Sequence, residues 1–331
     1  MRLALSSIFI SFFYCATASS ANENVAIALD KADKVSVLNH LETLSSDEFA
    51  GRKFSSEESL ITQSYLINAL KKLKVSAFKG NYRHSFEQIS FFSHKNGANI
   101  IGYIPGSQFP QQYIVLTAHY DHLGSKQNKV FNGADDNASG TAALLHYAKV
   151  IEQNPLKHSV IILFTDGEEA DLLGAKAFVN EQKDLLVDIK LNVNLDMIAG
   201  SVSTKRLRFI SRDLAQVISP EKLQKLSHLQ ASLKANSTTT LTAGFRNMRS
   251  AGSNIFRTNW RMASDHGAFS KAGIPFIYFG VGAHKNYHSV RDDFNGINQA
   301  LFLASIDVIF QQLIFLDTAI AETSISLSPC K

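Results

Sequence analysis

Six short apolar runs alternate with longer helical patterns along this chain, and that alternation leaves few architectures open to it. Residues 160–165, 191–195, 207–210 and 276–279 are rich in aliphatic residues and phenylalanine and bounded by polar residues or glycine, as strands buried on both faces require. Residues 99–104 and 113–118 are similarly β-rich, and the Pro105-Gly106 turn signal between them predicts a hairpin at a sheet edge. Helical spacing of apolar residues recurs over 140–152, 172–180, 221–233 and 297–316, and earlier over 35–44 and 57–73 with a loop between them. Strands alternating with helices predict an α/β fold, a three-layer α/β/α sandwich around a mixed, mostly parallel sheet. At 331 residues and 45% hydrophobic composition, with no linker or internal repeat, residues 22–331 read as a single domain.

The first residues have a different character. Arg2, an apolar run over 3–14, and the small residues Ala16-Thr17-Ala18 and Ser19-Ser20-Ala21 form an export signal over 1–21, with cleavage near Ser19 or Asn22. The run is too short to span a bilayer, and no 18-residue apolar run is evident there or later. The expectation is therefore a periplasmic or secreted protein without a stable membrane anchor. Cys15 would leave with the signal, and bulky Phe13 and Tyr14 before it do not suit a lipidation site. Cys330 would then stand alone, so stability must come from the core rather than from an intramolecular disulfide. The net charge of +4 is small and its Lys and Arg residues are scattered, which argues against nucleic acid or a membrane surface as partner.

Five stretches carry metal-ligand residue types at the ends of strand-like runs: His119 in TAHYDH, Asp136 in GADDNASG, Glu168 and Glu169 in DGEEA, Asp196 in NLDM, and His288 in NYHS. Two divalent cations at the carboxyl edge of a sheet need such a set, with one spare carboxylate for proton transfer. Each motif alone has a plainer reading. His119 and Asp121 share a face, where the Asp121 carboxylate could accept the ring N–H, but a solvated loop explains them equally well. His122 reads as a surface or supporting residue. Asp135 and Asp136 could be capping groups before a helix whose N-cap is Ser139, and the glycines around them favour metal binding, with Asp136 the better bridging candidate. Glu168 and Glu169 could start a helix, or one could ligate while the other takes a proton. Asp196 ends an apolar strand, where a carboxylate is costly without a cation. His288 could be an ordinary loop histidine.

Taken in order, LSSDEFAGR, NIIGYIPG, TAHYDHLG, GADDNASGTAALL, DGEEADLLGAKAFV, NLDMIA, SDHGAF and YHSVRDDFNGI resemble the co-catalytic di-zinc exopeptidases of the secreted bacterial leucyl-aminopeptidase type. Relatives of that family include glutaminyl cyclases and glutamate carboxypeptidase II. The resemblance implies a zinc-peptidase catalytic domain with two Zn2+ per subunit, one held by His119 and Asp196, the other by Glu169 and His288, with Asp136 bridging. It implies Glu168 as general base, Asp121 and Asp292 as residues orienting His119 and His288, and Tyr287 as a group stabilising the tetrahedral oxyanion. It also implies a cis peptide at Asp136-Asn137. Glu168 would take a proton from a zinc-activated water and return it to the leaving amine, so the implied activity is an aminopeptidase cleaving the first bond of peptides with a free N-terminus. A glutaminyl cyclase, another amidohydrolase or carboxypeptidase, and an inactive binding domain are the alternatives. A carboxypeptidase would need cations for a terminal carboxylate, for which Arg246, Arg249, Arg257 and Arg261 are the candidates. The preferred residue and the oligomeric state are not legible.

Overall fold

The computed structural model describes residues 29–90, 93–236, 240–245 and 258–327. The export signal, both cysteines, Arg246, Arg249 and Arg257 lie outside the described residues. In chain order the elements are α1 (Lys31–Leu44), α2 (Glu57–Lys72), β1 (Ser76–Ala77), β2 (Arg83–Ser90), β3 (Ser93–Ile104), β4 (Phe109–His119), β5 (Gly124–Lys126), β6 (Lys129–Phe131), α3 (Gly140–Gln153), β7 (His158–Thr165), α4 (Leu173–Glu181), β8 (Ile189–Leu195), β9 (Arg206–Arg212), α5 (Pro220–Asn236), β10 (Thr240–Ala243), α6 (His266–Lys271), β11 (Phe276–Gly280) and α7 (Gln299–Leu327). Local chemistry sets the ends of the first two helices. Asp30 caps α1 by accepting from Asp33 N, and Ser56 caps α2 by accepting from Ser59 N. Glu57 and Glu58 at the start of α2, and Lys71 and Lys72 at its end, complement the helix dipole.

Nine strands form one sheet in the order β1-β3-β7-β4-β8-β11-β9-β10, with β2 paired to β3. The four central strands, β7, β4, β8 and β11, are mutually parallel, while β3 and β9 join them antiparallel. Period-2 alternation divides their side chains between two layers. Leu116, Ile162 and Val193 pack with α1, α2, α3, α5 and α7, whereas Val115, Ile161 and Leu163 pack with α4 and α6. The three-layer sandwich with a mixed sheet matches the sequence expectation.

Two expectations fail. β3 and β4 are not a hairpin, because β7 lies between them, antiparallel to β3 and parallel to β4. The residues of β4 from Ile114 to His119 are all buried, so this strand is central rather than marginal. Its Pro-Gly connection leads across the sheet edge rather than back along it, and the actual hairpin partner of β3 is β2. The second failure concerns apolar length. Gln299–Thr323 has a mean hydropathy of 1.7 and is, by length and composition, long and apolar enough to cross a membrane. In this fold 56% of its most apolar window is buried. Its buried face packs in the main core, and its Asp317 carboxylate accepts from Lys157 N, His158 N and His158 Nδ1 at 2.9, 3.0 and 2.7 Å. A helix covered along most of its length carries apolar residues nearly all round, which the pattern over 297–316 understated.

Candidate metal centre

The parallel strands β7, β4 and β8 end together, and this shared edge assembles the site. His119 is the last residue of β4 and pairs in register with Thr165, the last of β7. Glu168 and Glu169 follow β7 directly, Asp196 follows β8, and the loop after β11 carries Tyr287 and His288. A carboxyl edge where connections diverge is the expected place for a site in such a sheet.

Two poles form there, sharing Asp136. At the first, His119 Nε2 lies 3.4 Å from Asp196 Oδ1 and 3.5 Å from Asp136 Oδ1, with the Glu168 carboxyl close enough to join the same donor group. At the second, His288 Nε2 lies 3.2 Å from both Asp136 Oδ2 and Glu169 Oε1. His119 Nε2 and Asp196 Oδ1 are buried and make no hydrogen bond. Orphaned buried acceptors are costly, whereas a separation too long for a hydrogen bond suits two ligands of one cation. The donor set of imidazoles and carboxylates fits zinc.

Electrostatics agree. Burial, reinforced by Asp196, Asp265 and Glu169 against the opposing pull of His119, holds the Glu168 carboxyl well above its ordinary range. Burial and Glu169 likewise raise Asp136. At Glu169 burial is outweighed by bonds from His122 and His288, and its carboxyl lies far below the usual range. Burial would neutralise His119 and His288, but neighbouring carboxylates raise the first well above normal and the second to about 10. So many carboxylates confined together need compensating positive charge, which a dication supplies more completely than an imidazolium.

The supporting residues depart from their expected tasks. His119 Nδ1 meets the backbone carbonyl of Asp121 at 3.1 Å, while the Asp121 carboxylate accepts from Glu168 N and Glu169 N at 3.0 and 3.4 Å. Asp121 therefore steadies the carboxylate pair, its side chain 3.7 Å from the ring it was expected to orient. Asp292 accepts from Asp135 N and Asp136 N at 2.9 and 3.0 Å, so it fixes the bridging segment rather than His288. The Asp136-Asn137 peptide is cis. Ser139 does not cap α3 with its hydroxyl, which donates to Asp135 O; Asn137 Oδ1 accepts from Gly140 N instead. Tyr287 stacks on His288, ring centroids 3.8 Å apart, and both burial and the site carboxylates push its phenol upward.

Four further residues join the site that the motifs did not single out. His122 is buried, with Nδ1 2.9 Å from Glu169 Oε1, contrary to a surface reading. Asp265 accepts from Thr165 Oγ1 at 2.5 Å, and burial raises its carboxyl to about 6. Asp135 accepts from Ala199 N, Gly200 N and His284 Nε2 at 2.7, 2.7 and 2.8 Å. Arg52 is fully buried and donates to the carbonyls of Leu44, Tyr120, Asn132 and Gly133 at 2.5, 2.7, 2.6 and 2.9 Å. It thereby joins the loop after β4 to the loop before Asp135. Only SDHGAF and the Gly-Arg ending of LSSDEFAGR hinted at two of these.

A cavity of about 110 Å³ opens beside the poles, lined by Asp136, Glu168, Glu169 and Asp196 on one side and by Met197, Trp260, Tyr278 and Tyr287 elsewhere. Phe245 stacks on Trp260 and Tyr278 at 4.5 and 4.9 Å, stiffening that wall. Arg261 is exposed and does not line this cavity.

Residues 99–313 match the model of peptidase family M28. The chain is 29% identical over 185 residues to leucine aminopeptidase 1 of Grosmannia clavigera, covering 53% of this chain and 44% of that protein. It is 24% identical over 232 residues to a probable zinc metalloprotease of Leptosphaeria maculans, covering 62% of this chain and 51% of that one. The chain thus spans about half the length of such curated relatives, or less. Among solved structures, a zinc aminopeptidase from Bacillus subtilis superposes with a TM-score of 0.63 at 15% identity, covering 85% of this chain and 94% of that one. An Acidobacteriales glutaminyl cyclase superposes with a TM-score of 0.65 at 18% identity, covering 86% and 94%. These two share the fold. With the match spanning both poles of the site, the chain belongs to peptidase family M28.

Proposed function

We propose that this protein is an exported aminopeptidase that binds two zinc ions and releases the N-terminal residue of peptides. The observation that carries the reading is the division of Asp136, whose Oδ1 faces His119 and whose Oδ2 faces His288, as a carboxylate shared by two cations would be. His119, Asp136 and Asp196 would hold one ion, and Asp136, Glu169 and His288 the other. Bound there, zinc supplies Lewis-acid polarisation of the scissile carbonyl and a more acidic water.

The remaining chemistry belongs to the chain. Glu168, held protonatable near neutrality by burial and its acidic neighbours, takes the proton of the attacking water and delivers it to the departing amine. Tyr287, at the mouth of the cavity, can donate its hydroxyl to the developing oxyanion. The aromatic wall of Trp260 and Tyr278 excludes water and offers an apolar surface to the substrate's first side chain. The sequence of the first residues supports export, and the scattered cationic residues support no nucleic-acid partner.

Zinc-loaded protein should be assayed on amino-acid amides, on the same peptides N-acetylated, and on a peptide beginning with glutamine. Hydrolysis of free but not acetylated substrates is expected, with two zinc ions per chain. Cleavage of acetylated peptides, or cyclisation of the glutamine peptide in place of hydrolysis, would overturn the aminopeptidase reading. Full activity at one zinc per chain would overturn the two-ion reading.

A further inference from the structure

His122 is the imidazole at this site to which the family pattern gives no task. Its side chain is wholly buried, in contrast to that of His288, of which about a third (34%) is exposed. Its ring lies against Gly133, where an added Cβ would run into both the ring and Asp136 O; the left-handed φ of 54° also favours glycine there. The position of the ring is thus built in by close packing.

The geometry at Nδ1 is the informative part. It lies 2.9 Å from Glu169 Oε1 and 3.7 Å from Asp136 Oδ2. These are the same two oxygens that His288 Nε2 approaches at 3.2 Å each. The two rings meet edge to face, with centroids 5.7 Å apart, so their nitrogens flank that oxygen pair without stacking. Tetrahedral ligands at about 2.0–2.1 Å from zinc stand about 3.3–3.4 Å apart. The four separations, 2.9, 3.7, 3.2 and 3.2 Å, bracket that spacing. A simple hydrogen bond to Glu169 would account for one of them and leave the convergence on Asp136 unexplained.

We infer that His122 Nδ1 is a fourth protein ligand at the pole formed by Asp136, Glu169 and His288. The inference rests on the two-ion reading and adds an asymmetry to it. With four protein donors this pole is closed in the manner of a structural zinc site, whereas His119, Asp136 and Asp196 leave a position free beside Glu168. The substrate carbonyl and the attacking water are then received at the His119–Asp196 pole, and the other ion chiefly fixes Asp136 and adds charge. A residue that merely orients Glu169 would create no such difference.

Cobalt(II)-substituted protein, labelled with 15N-histidine, distinguishes the two. Each coordinated imidazole keeps one ring N–H, which cobalt shifts far outside the normal proton range. Three such signals are expected, from His119, His122 and His288, and His122→Gln should remove one. Two signals in the wild-type protein, with two cobalt ions bound, would overturn the assignment while leaving the two-ion reading intact. One cobalt per chain would overturn the two-ion reading, and the presence or absence of the His122 signal would still decide the ligand. Should His122→Gln fail to fold, the wild-type count alone decides. In the folded variant, chelator competition should show one ion weakened by more than the roughly 10–100-fold typical of losing an orienting partner, and the other unchanged. A loss within that range at both ions would count against direct ligation.

Discussion

Glu168 and Glu169 are chain neighbours held in opposite states, the first raised by burial and nearby carboxylates, the second lowered by two imidazoles. That contrast assigns them different work. Glu168→Gln should lower kcat by about 10²–10⁴-fold with both zinc ions retained, whereas Glu169→Gln should lose one zinc. Parallel measurement of bound zinc and turnover on an unblocked amide checks this, and zinc loss from Glu168→Gln alone would reverse the assignment. His266 carries a second prediction at this scale. Buried between Tyr278 and Phe276, with Nε2 2.9 Å from Trp260 O, it is held by burial at about 4, below its ordinary 6.5. A lowered folded value means that the unfolded chain binds the extra proton first, so this contribution is complete above pH 6.5 and is lost as pH falls towards 4. The stability difference between wild type and His266→Gln should therefore shrink by about 3 kcal/mol between pH 7 and 4, read by denaturant titration. Parallel profiles would show that a neutral His266 is not what acid removes.

At the scale of elements, Arg52 does most to join separate segments. Ala50, Gly51 and Arg52 have consecutive left-handed φ values of 43°, 70° and 50°, a turn that sends the guanidinium inward beneath the site. Its four carbonyl partners belong to the end of α1 and to the two loops that carry His122 and Asp135. Removing it strands those carbonyls, so Arg52→Met should cost on the order of 3–5 kcal/mol and weaken zinc retention. Arg52→Lys should recover only part, because one ammonium cannot reach acceptors spread across a planar fork. Denaturant midpoints and chelator titrations of both variants test this; full recovery by lysine would mean that charge alone mattered. The elements themselves were mostly legible: α2, α3 and α4 lie within a residue or two of their sequence patterns. The β3–β4 hairpin was not, because periodicity reports that a strand is buried but not which strand lies beside it. His158–Thr165, some forty residues later in sequence, takes the place next to β3.

For the whole molecule, the export signal predicts that protein recovered from its native compartment begins near residue 19 or 22, as mass analysis of the intact chain would show. An unprocessed Met1 on active protein would count against export. The long apolar helix α7 bears on the same question. Its 56% burial and the anchoring of Asp317 to β7 predict that the processed protein partitions into the aqueous phase of a detergent extraction; recovery in the detergent phase would identify α7 as an anchor. The layered fold, the strand ends bearing His119, Glu168, Glu169 and Asp196, and the family were determined by the sequence, because burial on both faces and a carboxylate at the end of an apolar run leave local marks. What tertiary structure decided was partnership. The sheet order placed β7 between β3 and β4, directed Asp121 and Asp292 to backbone amides, buried Arg52 beneath two loops, and brought His122 to the oxygens that His288 faces. Those contacts join residues from separate elements, and a linear pattern has no term for two side chains that become neighbours only when the strands between them pair.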